Sequence, residues 1–385
     1  YLNSKVNMKE TNIFKAFFES EKAGGFVLIF ATLISLLLAN SIFQLEYIQI
    51  WNYKIGNHSI VEWINDGLMT LFFLLIGLEL EREVYIGELS SFKKASLPLI
   101  GALGGMIVPA LIYACFNYGT ITQSGVGIPM ATDIAFAIGI LSLLGKRVPI
   151  SLKIFLTALA VIDDLGAIIV IAIFYTSSIS LLNLGIALGI LGILFILNRL
   201  KVNNLFPYLI GGILMWYFML NSGVHATITG VLLAFVIPFG DGNKKNISYK
   251  LQHILHKPVA FLILPLFALA NTFIVLNSNW YEGLSHSNSF GIILGLFIGK
   301  PIGIWLFSYL GVLLGIGILP KGLNWSSIFG AAILGGIGFT MSIFISLLAF
   351  DNNEDIINSK IAILIASTIA AIAGFIFLKF KLKRD

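Results

Sequence analysis

Residues 154–174 read Ile-Phe-Leu-Thr-Ala-Leu-Ala-Val-Ile-Asp-Asp-Leu-Gly-Ala-Ile-Ile-Val-Ile-Ala-Ile-Phe, an apolar run whose only charged residues are Asp163 and Asp164. A run of about 20 apolar residues is long enough to cross a bilayer as a helix. The two acids lie near its middle, where each charge costs at least about 2.5–3.5 kcal/mol on insertion scales. This segment therefore predicts a membrane-spanning helix whose two carboxyl groups serve a function.

The rest of the chain has the composition of a membrane protein. Hydrophobic residues make up 58% of the 385 residues and charged residues 11%, against about 45–50% and 25% in soluble proteins. No Asp, Glu, Lys or Arg occurs in 23–45, 165–198, 202–240 or 322–350. The composition excludes an ordinary soluble domain. Cys115 is the only cysteine, which excludes an intrachain disulfide and a multi-cysteine metal site.

The basic residues predict the topology, because Lys and Arg are concentrated in the cytoplasmic loops of membrane proteins. All 24 of them except Lys54, Lys300 and Lys360 fall in clusters, and the intervals between successive clusters fit two spans each. We therefore expect an all-α polytopic membrane protein with about twelve transmembrane helices, a single domain over residues 1–385 and both termini in the cytoplasm. The predicted spans are 23–42, 60–81, 95–117, 124–144, 151–175, 181–199, 205–220, 223–240, 258–273, 288–315, 326–350 and 357–379.

The longest predicted outer loop runs from Phe43 to Ser59 and contains Tyr47-Ile-Gln-Ile-Trp-Asn-Tyr53. Gly56-Asn57 is able to turn a small hairpin there. An aromatic loop at the membrane interface is the alternative interpretation, and the sequence does not decide between the two.

Two predicted spans contain residues that interrupt a helix. Span 4 includes Gly125-Val-Gly-Ile-Pro-Met-Ala-Thr-Asp133, and span 11 includes Gly335-Gly-Ile-Gly-Phe-Thr340. Proline removes a helical hydrogen bond, and glycine lowers the cost of leaving the helix. Spans 4 and 11 are the middle members of spans 3–5 and 10–12, which predicts inverted repeats with a binding site at the paired interruptions. Close packing of helices through small residues is the alternative.

Asp163 and Asp164 have a chemistry that follows from their adjacency. Neighbouring residues on a helix point about 100° apart, so the two carboxyl groups cannot face one ligand symmetrically. Two buried acids this close cannot both ionise cheaply, and they are expected to titrate as a coupled unit. Since Na⁺ also prefers oxygen ligands, the same groups are predicted to hold either protons or Na⁺. A buried pair that only holds helices together is the alternative.

Three other polar residues are predicted to lie at mid-depth in the membrane. Lys300, in Leu296-Phe-Ile-Gly-Lys-Pro-Ile-Gly303, either pairs with Asp163 or Asp164 or offsets the negative ends of facing helix C-termini. Asp133 is able to do the same for facing N-termini, and Thr132 offers a hydroxyl oxygen to Na⁺. Structural and direct transport roles for Lys300 and Asp133 are both open.

A group of Glu and His residues is predicted near the ends of spans. Glu79 and Glu83 lie around the end of span 2, His253 and His256 precede span 9, and His225 begins span 8. Mixed Glu and His clusters respond to pH near neutrality, whereas a solvated charged face, or a packed histidine in the case of His225, is the default interpretation.

The chain resembles the bacterial NhaA family of sodium/proton antiporters. The resemblance extends over nearly the whole sequence, in order and at the family's spacing. The matching segments are Ile64-Asn-Asp-Gly-Leu-Met69, Gly77-Leu-Glu79, Ala131-Thr-Asp133, Ala160-Val-Ile-Asp-Asp-Leu-Gly166, Ser222-Gly-Val-His-Ala226, Gly299-Lys-Pro301 and Gly336-Ile-Gly-Phe-Thr-Met-Ser342.

The resemblance implies an electrogenic transporter, not an enzyme, that exchanges cytoplasmic Na⁺ or Li⁺ for external H⁺ in the bacterial inner membrane without a cofactor. It implies ion and proton binding by Asp163, Asp164, Thr132 and Asp133, with Lys300 in charge compensation or paired with Asp163. It also implies a pH response at Glu79, Glu83, His225, His253 and His256, and a homodimer joined by the outer hairpin near Gly56. Gln252 departs from the family, because well-studied members carry an acid there.

Two other functions fit the membrane carboxyl groups less well. An intramembrane aspartyl protease carries its acids on different helices within a Gly-x-Gly-Asp segment, and no such segment occurs here. A cation-selective channel would conduct without a proton gradient, which transport measurements distinguish. No nucleic-acid partner is expected, because the net charge of +5 comes from short clusters between apolar runs.

Overall fold

The computed structural model describes residues 22–175, 179–276, 278–320 and 322–382, apart from the side chains of residues 88 and 92–94. All the predicted site residues lie within these ranges. Some of the basic residues used to predict the topology lie outside them, at Lys5–Lys15, Lys321 and Lys383–Arg384. The short strands Lys54–Ile55 and His58–Ser59 form the one sheet in the described part of the chain.

Every predicted span coincides with a helical segment, and the span numbers are kept for the observed helices. In chain order they are Lys22–Ala39 (span 1), Ile60–Tyr85 (span 2), Phe92–Asn117 (span 3), Gln123–Leu143 (span 4), Ile150–Phe174 (span 5), Leu181–Arg199 (span 6), Leu205–Leu220 (span 7), Ile228–Val236 (span 8), Ile247–Asn271 (span 9), Ser287–Leu313 (span 10), Trp325–Gly335 with Phe339–Ala349 (span 11) and Asn353–Lys381 (span 12).

Not every span has the length of a full crossing. Within the described ranges, nine helices are long and apolar enough to cross a membrane alone, and the bent pair of span 11 is a tenth. Span 7, with 16 residues, and span 8, with 9 residues, are shorter. The prediction of an all-α polytopic membrane protein is confirmed, with ten helices of membrane length and two shorter ones.

Two predicted boundaries are wrong for reasons that lie in the backbone. Span 8 was expected over 223–240, but Gly223 has a φ of +85° in a turn, and Ile237 is extended before Pro238. Residues before proline avoid the helical region, so this helix is confined to Ile228–Val236. Span 9 starts at Ile247 rather than residue 258, because Pro258 is accommodated by a turn of π-helix at Val259–Ile263.

The loop before span 2 contains both features that the sequence left open. Its aromatic part is the helix Gln44–Asn52, and the strands that follow form an antiparallel hairpin with Lys54 opposite Ser59. Gly56 turns the hairpin with a φ of +69°, which glycine adopts without steric cost. The predicted hairpin is present.

The predicted interruptions of spans 4 and 11 are also present. Span 4 begins as a 3₁₀ segment, Gln123–Met130, continues through three extended residues and resumes as the helix Ile134–Leu143. Span 11 bends by 46° between Gly335 and Phe339. Each interruption lies in the middle span of its triplet.

The spans pack around two apolar clusters. The larger cluster joins spans 1–5 with spans 9–12 and includes Val231 of span 8. The smaller one joins spans 6–8 with Leu74 and Leu78 of span 2 and Leu251 of span 9. Four basic residues define one end of the bundle, here called the basic end: Arg82 in the last turn of span 2, Lys257 in the part of span 9 before Pro258, and Lys146 and Lys201 in the loops after spans 4 and 6. The hairpin at Gly56 lies at the opposite end.

Spans 3 and 10 approach each other so closely that their backbones touch. A Cβ added to Gly104 would lie 2.2 Å from the carbonyl oxygen of Gly303, and one added to Gly303 would lie 2.1 Å from that of Gly104. Small residues allow such approach between membrane helices, where van der Waals packing is a main source of association. This contact positions Lys300, which lies one turn before Gly303 on span 10.

We predict that Gly104→Ala destabilises the fold, because the new methyl group clashes with backbone that cannot rotate away. Overpacking of this kind costs about 1–3 kcal/mol, so the melting temperature of the purified protein should fall by several degrees. Gly189→Ala on span 6 is the matched control, since a Cβ there meets nothing within 4 Å. Equal melting temperatures for the two variants would show that the close approach of spans 3 and 10 is not a constraint.

Candidate ion-binding site

The interruptions of spans 4 and 11 cross each other and satisfy part of each other's backbone. The amide of Asp133 donates to the carbonyl oxygen of Ile337 at 2.7 Å. The hydroxyl of Thr132 lies 2.8 Å from the carbonyl oxygen of Gly335. Because lipid offers no hydrogen bonds, an interrupted helix persists only where protein or water replaces the missing ones. The crossing therefore holds the two breaks together.

Asp133 caps two helices at this crossing. Its Oδ1 accepts from the amide of Phe136 at 2.9 Å, in the first turn of Ile134–Leu143. Its Oδ2 accepts from the amide of Thr340 at 3.1 Å, in the first turn of Phe339–Ala349, and also from the Thr340 hydroxyl. A carboxylate is favoured at a helix N-terminus by the helix dipole. The structure places Asp133 where it offsets both facing N-termini.

Lys300 lies opposite Asp163 and Thr132. Its Nζ forms an ion pair with Oδ2 of Asp163 and donates to Oγ1 of Thr132 at 2.6 Å. The Thr132 hydroxyl is in turn 2.8 Å from Asp163 Oδ2, so its single proton goes to that carboxylate or to Gly335. Lys300 is 0% exposed and Asp163 is 1% exposed. The pair is therefore a fully buried one.

Asp164 differs from its neighbour. Both of its carboxyl oxygens are buried and have no hydrogen-bond partner among the described residues. The same is true of Oδ1 of Asp163. A buried polar group without a partner is costly, and a buried charge more so. These three oxygens therefore fit a site completed by protons or by a cation. Asp163 pairs with Lys300, whereas Asp164 lines the cavity described next, so the two carboxyl groups have different surroundings, as expected for neighbours that point about 100° apart on a helix.

A cavity extends from Asp164 to Glu79 and His256, the lining residues nearest the basic end of the bundle. It has a volume of about 40 Å³, enough for two or three water molecules. Its polar lining residues are Asp133, Asp164, Thr340, Glu79 and His256, and the rest of its wall comes from apolar side chains of spans 2, 4, 9 and 11. Asp164 thus shares this cavity with two further titratable residues, Glu79 and His256.

A second cavity lies on the side of the hairpin and is separated from the first by aromatic rings. It has a volume of about 320 Å³ and is lined by Glu62, Asp66 and His225, among others. Phe344 also lines it, whereas Phe72 lines the first cavity. Phe73 lies between them, with ring centroids 5.3 Å from Phe72 and 5.4 Å from Phe344. Asp164 lines the first cavity and not the second.

The predicted pH-responsive residues do not form one cluster. Glu79 and His256 meet, with Oε1 of the first 3.9 Å from Nδ1 of the second, and Gln252 hydrogen-bonds Glu79. His253 is exposed and stacks on Tyr249 at 6.3 Å. Glu83 is half-buried one turn beyond Glu79.

His225 is the clearest exception, because it lines the second cavity, on the other side of the aromatic rings. The structure brings together Thr132, Asp133, Asp163, Asp164 and Lys300, and it connects them to Glu79 and His256.

Four residues of the site were not found from the sequence, and all carry hydroxyl groups. Thr340 bonds Asp133, and Ser342 donates to the carbonyl oxygen of Ile128 at 2.7 Å. The list is completed by Tyr175, whose oxygen accepts from Gly127 at 3.3 Å, and Ser367, which accepts from Phe339 at 3.1 Å. Thr340 and Ser342 had a signal, because both lie in the Gly336–Ser342 segment that carries the resemblance, whereas Tyr175 and Ser367 had none.

Comparison with known proteins agrees with the resemblance seen in the sequence. A model of the family described as Na⁺/H⁺ antiporter 1 matches residues 15–378. The chain is 68% identical to the Na⁺/H⁺ antiporter NhaA 1 of Flavobacterium johnsoniae over 373 residues, 97% of this chain and 98% of that one. It is 58% identical to the Na⁺/H⁺ antiporter NhaA of Dechloromonas aromatica over 381 residues, 98% of each.

A solved structure is similar in fold. The sodium proton antiporter MjNhaP1 from Methanocaldococcus jannaschii, at pH 8, matches with a TM-score of 0.54 and 17% identity, covering 96% of this chain and 98% of that one. At this identity the likeness supports the fold alone. The family match and the two high-identity relatives carry the assignment: the chain belongs to the Na⁺/H⁺ antiporter 1 family, whose members are transporters and not enzymes.

Proposed function

We propose that this protein is a secondary active transporter that expels cytoplasmic Na⁺, and also Li⁺, in exchange for external H⁺. The observation that carries the proposal is the pair of buried oxygens of Asp164, which have no partner among the described residues, on a residue that lines a cavity shared with Glu79 and His256. The names of the relatives, Na⁺/H⁺ antiporters, support the choice of ions. Such exchange serves sodium and pH homeostasis.

The proposed mechanism is competition for the same oxygens. Na⁺ is coordinated by Asp164, by Oδ1 of Asp163 and by the hydroxyl of Thr132, and protons occupy the carboxyl groups when Na⁺ is absent. Lowering the pH favours protons over Na⁺. The apparent affinity for Na⁺ therefore decreases as the pH is lowered and increases as the pH is raised. Alternating access then carries one kind of ion in each direction.

Two proton-binding groups are available for one Na⁺. Asp164 is one, and the Asp163–Lys300 pair is the other, because Na⁺ on the Asp163 carboxylate displaces the ammonium group of Lys300. The displaced ammonium group then gives up its proton, and Lys300 takes a proton back when Na⁺ leaves. One Na⁺ exchanged for more than one H⁺ moves net charge. We therefore propose that transport is electrogenic, with Lys300 a partner of Asp163 as well as a compensating charge.

Glu79 and His256 are proposed to adjust transport to pH, because they line the cavity between Asp164 and the basic end. Both are 17% exposed, so their charges act on ions in that path with little screening. Glu83 and His253 lie farther out on the same face, and Gln252 contributes a neutral amide where an acid would add charge. His225 would act from the second cavity.

The orientation and assembly follow from the charged and exposed parts of the surface. The basic end is proposed to face the cytoplasm of the bacterial inner membrane, with both termini there, because basic loops stay on that side. The hairpin at Gly56 is exposed, as are Lys54 and Ile55. We propose that it joins two copies of the chain into a homodimer within the lipid bilayer.

We predict that Asp163→Asn and Asp164→Asn each reduce exchange to the background of vesicles that lack the protein, because an amide neither binds a proton nor balances Na⁺. The measurement is Na⁺-dependent proton movement in everted vesicles across a pH series. Glu354→Gln is the control, an exposed acid in the first turn of span 12. Full exchange by either Asp variant would remove that residue from the mechanism.

We also predict a compensating pair of substitutions at Lys300 and Asp163. Lys300→Met leaves a buried carboxylate unpaired, which costs about 3–5 kcal/mol, so the melting temperature falls. Adding Asp163→Asn removes the second charge and should recover most of the loss.

The control for this pair is Lys360→Met, a buried lysine whose Nζ lies 5.6 Å from the ring centroid of Phe273. Asp163→Asn should not rescue it. A double variant no more stable than Lys300→Met alone would contradict the direct pairing of Lys300 with Asp163.

A further inference from the structure

The break in span 11 contains a backbone conformation that needs support. Phe339 begins the second half of this span with a φ of +20°, at the edge of the left-handed region. Bulky residues rarely adopt a positive φ, and such a conformation persists only where the surrounding structure determines it. The amide of Phe339 starts a helix, so no carbonyl of that helix is available to it.

Span 12 supplies the missing acceptor. The hydroxyl oxygen of Ser367 accepts from the amide of Phe339 at 3.1 Å, and Ser367 is only 2% exposed. The ring of Phe339 also packs edge-on against Phe136 at 5.3 Å. Loss of the hydroxyl would leave the amide buried without a partner, and a buried unsatisfied donor is costly.

The neighbouring hydroxyl shows the usual behaviour in a membrane helix. Thr368 donates to the carbonyl oxygen of Leu364, four residues earlier on the same helix, at 2.7 Å, and its side chain is exposed on the lipid side. Such bonds stay within one helix. Ser367 instead reaches the backbone of another span at its interruption.

The residues next to Phe339 are those that contact the carboxyl site. Thr340 holds Asp133 through its amide and hydroxyl, and the carbonyl oxygen of Ile337 accepts from the amide of Asp133. Gly335, on the other side of the break, lies next to Thr132. A change in the backbone at Phe339 therefore shifts the groups that hold Thr132 and Asp133.

We propose that Ser367 is a positioning residue for ion binding: it keeps the break of span 11 in the arrangement in which the site is complete. This proposal rests on the proposed exchange of Na⁺ for H⁺. Without Ser367, only a fraction of the molecules has the binding-competent arrangement. The apparent dissociation constant is the intrinsic one divided by that fraction, so affinity falls although no ion ligand has been removed.

This mechanism has a signature that other roles do not share. The competent fraction is a property of the protein, so the apparent KM for Na⁺ and for Li⁺ rises by the same factor, while the maximal rate at fixed pH is unchanged. A direct ion ligand would affect the two ions differently. A purely structural residue would lower the amount of active protein, and hence the maximal rate, and leave KM unchanged.

The test compares Ser367→Ala, Ser367→Thr and the matched control Thr368→Ala in vesicles with equal amounts of protein. Ser367→Ala is expected to raise KM for Na⁺ and Li⁺ by a common factor of about ten, from the cost of one unsatisfied buried amide. Ser367→Thr retains the hydroxyl and should restore KM to within about twofold. Thr368→Ala should match the unaltered protein.

A binding measurement separates this proposal from the proposed function. The Na⁺ concentration that gives half of the maximal thermal stabilisation of the purified protein should rise by the same factor in Ser367→Ala. An unchanged KM and an unchanged half-point, factors that differ between Na⁺ and Li⁺, or a change in maximal rate alone would overturn the role of Ser367. If instead the unaltered protein and Thr368→Ala exchange no Na⁺ for H⁺, the proposed function fails.

Discussion

Two interrupted helices that complete each other are the feature on which the rest of this structure depends. Within a bilayer, every N–H and C=O that leaves a helix must find another partner. The amide of Asp133 finds the carbonyl of Ile337, and the amide of Thr340 finds the carboxylate of Asp133. Neither break would be stable alone. Because each supplies the other, polar backbone and polar side chains are held at one point in the middle of the protein.

The charges follow from that crossing. Asp133 accepts hydrogen bonds from the two helix N-termini, and Lys300 pairs with Asp163 and donates to Thr132. These partners balance most of the buried charge, but the oxygens of Asp164 are left without a protein partner among the described residues. The site therefore lacks a positive partner for the Asp164 carboxyl group, and a proton or a small cation is able to supply one. An exchanger requires a group of this kind. The hydroxyls of Ser367 and Tyr175 support the arrangement from the uninterrupted spans 12 and 5.

Much of the fold was predictable, because it depends on local chemistry. The length of apolar runs indicates membrane helices, and Pro129 with the glycines of 125–127 and 335–338 indicates where helices break. The bounds of spans 8 and 9 were wrong, because Gly223 and Pro238 shorten one helix while Pro258 is accommodated within the other. Hydropathy does not distinguish a proline that ends a helix from one that a π turn absorbs.

The candidate site was predictable in its residues but not in its connections. Burial cost alone identifies Asp163, Asp164 and Lys300 as unusual in a membrane, yet which carboxylate the lysine meets depends on how spans 5 and 10 pack. The resemblance grouped His225 with Glu79 and His256 as pH-responsive, whereas His225 lines a different cavity. Ser367 was missed, because a serine in a membrane helix commonly bonds its own helix and nothing in its neighbours shows otherwise.

Competition between Na⁺ and protons for one set of oxygens has a measurable consequence, which is the release of protons when Na⁺ binds. Purified protein in weakly buffered solution would be titrated with NaCl while the pH is recorded, with Asp164→Asn as the reference. We predict that protons are released as Na⁺ binds, more than one for each Na⁺, and that the reference releases none. Na⁺ binding without any release of protons would contradict it.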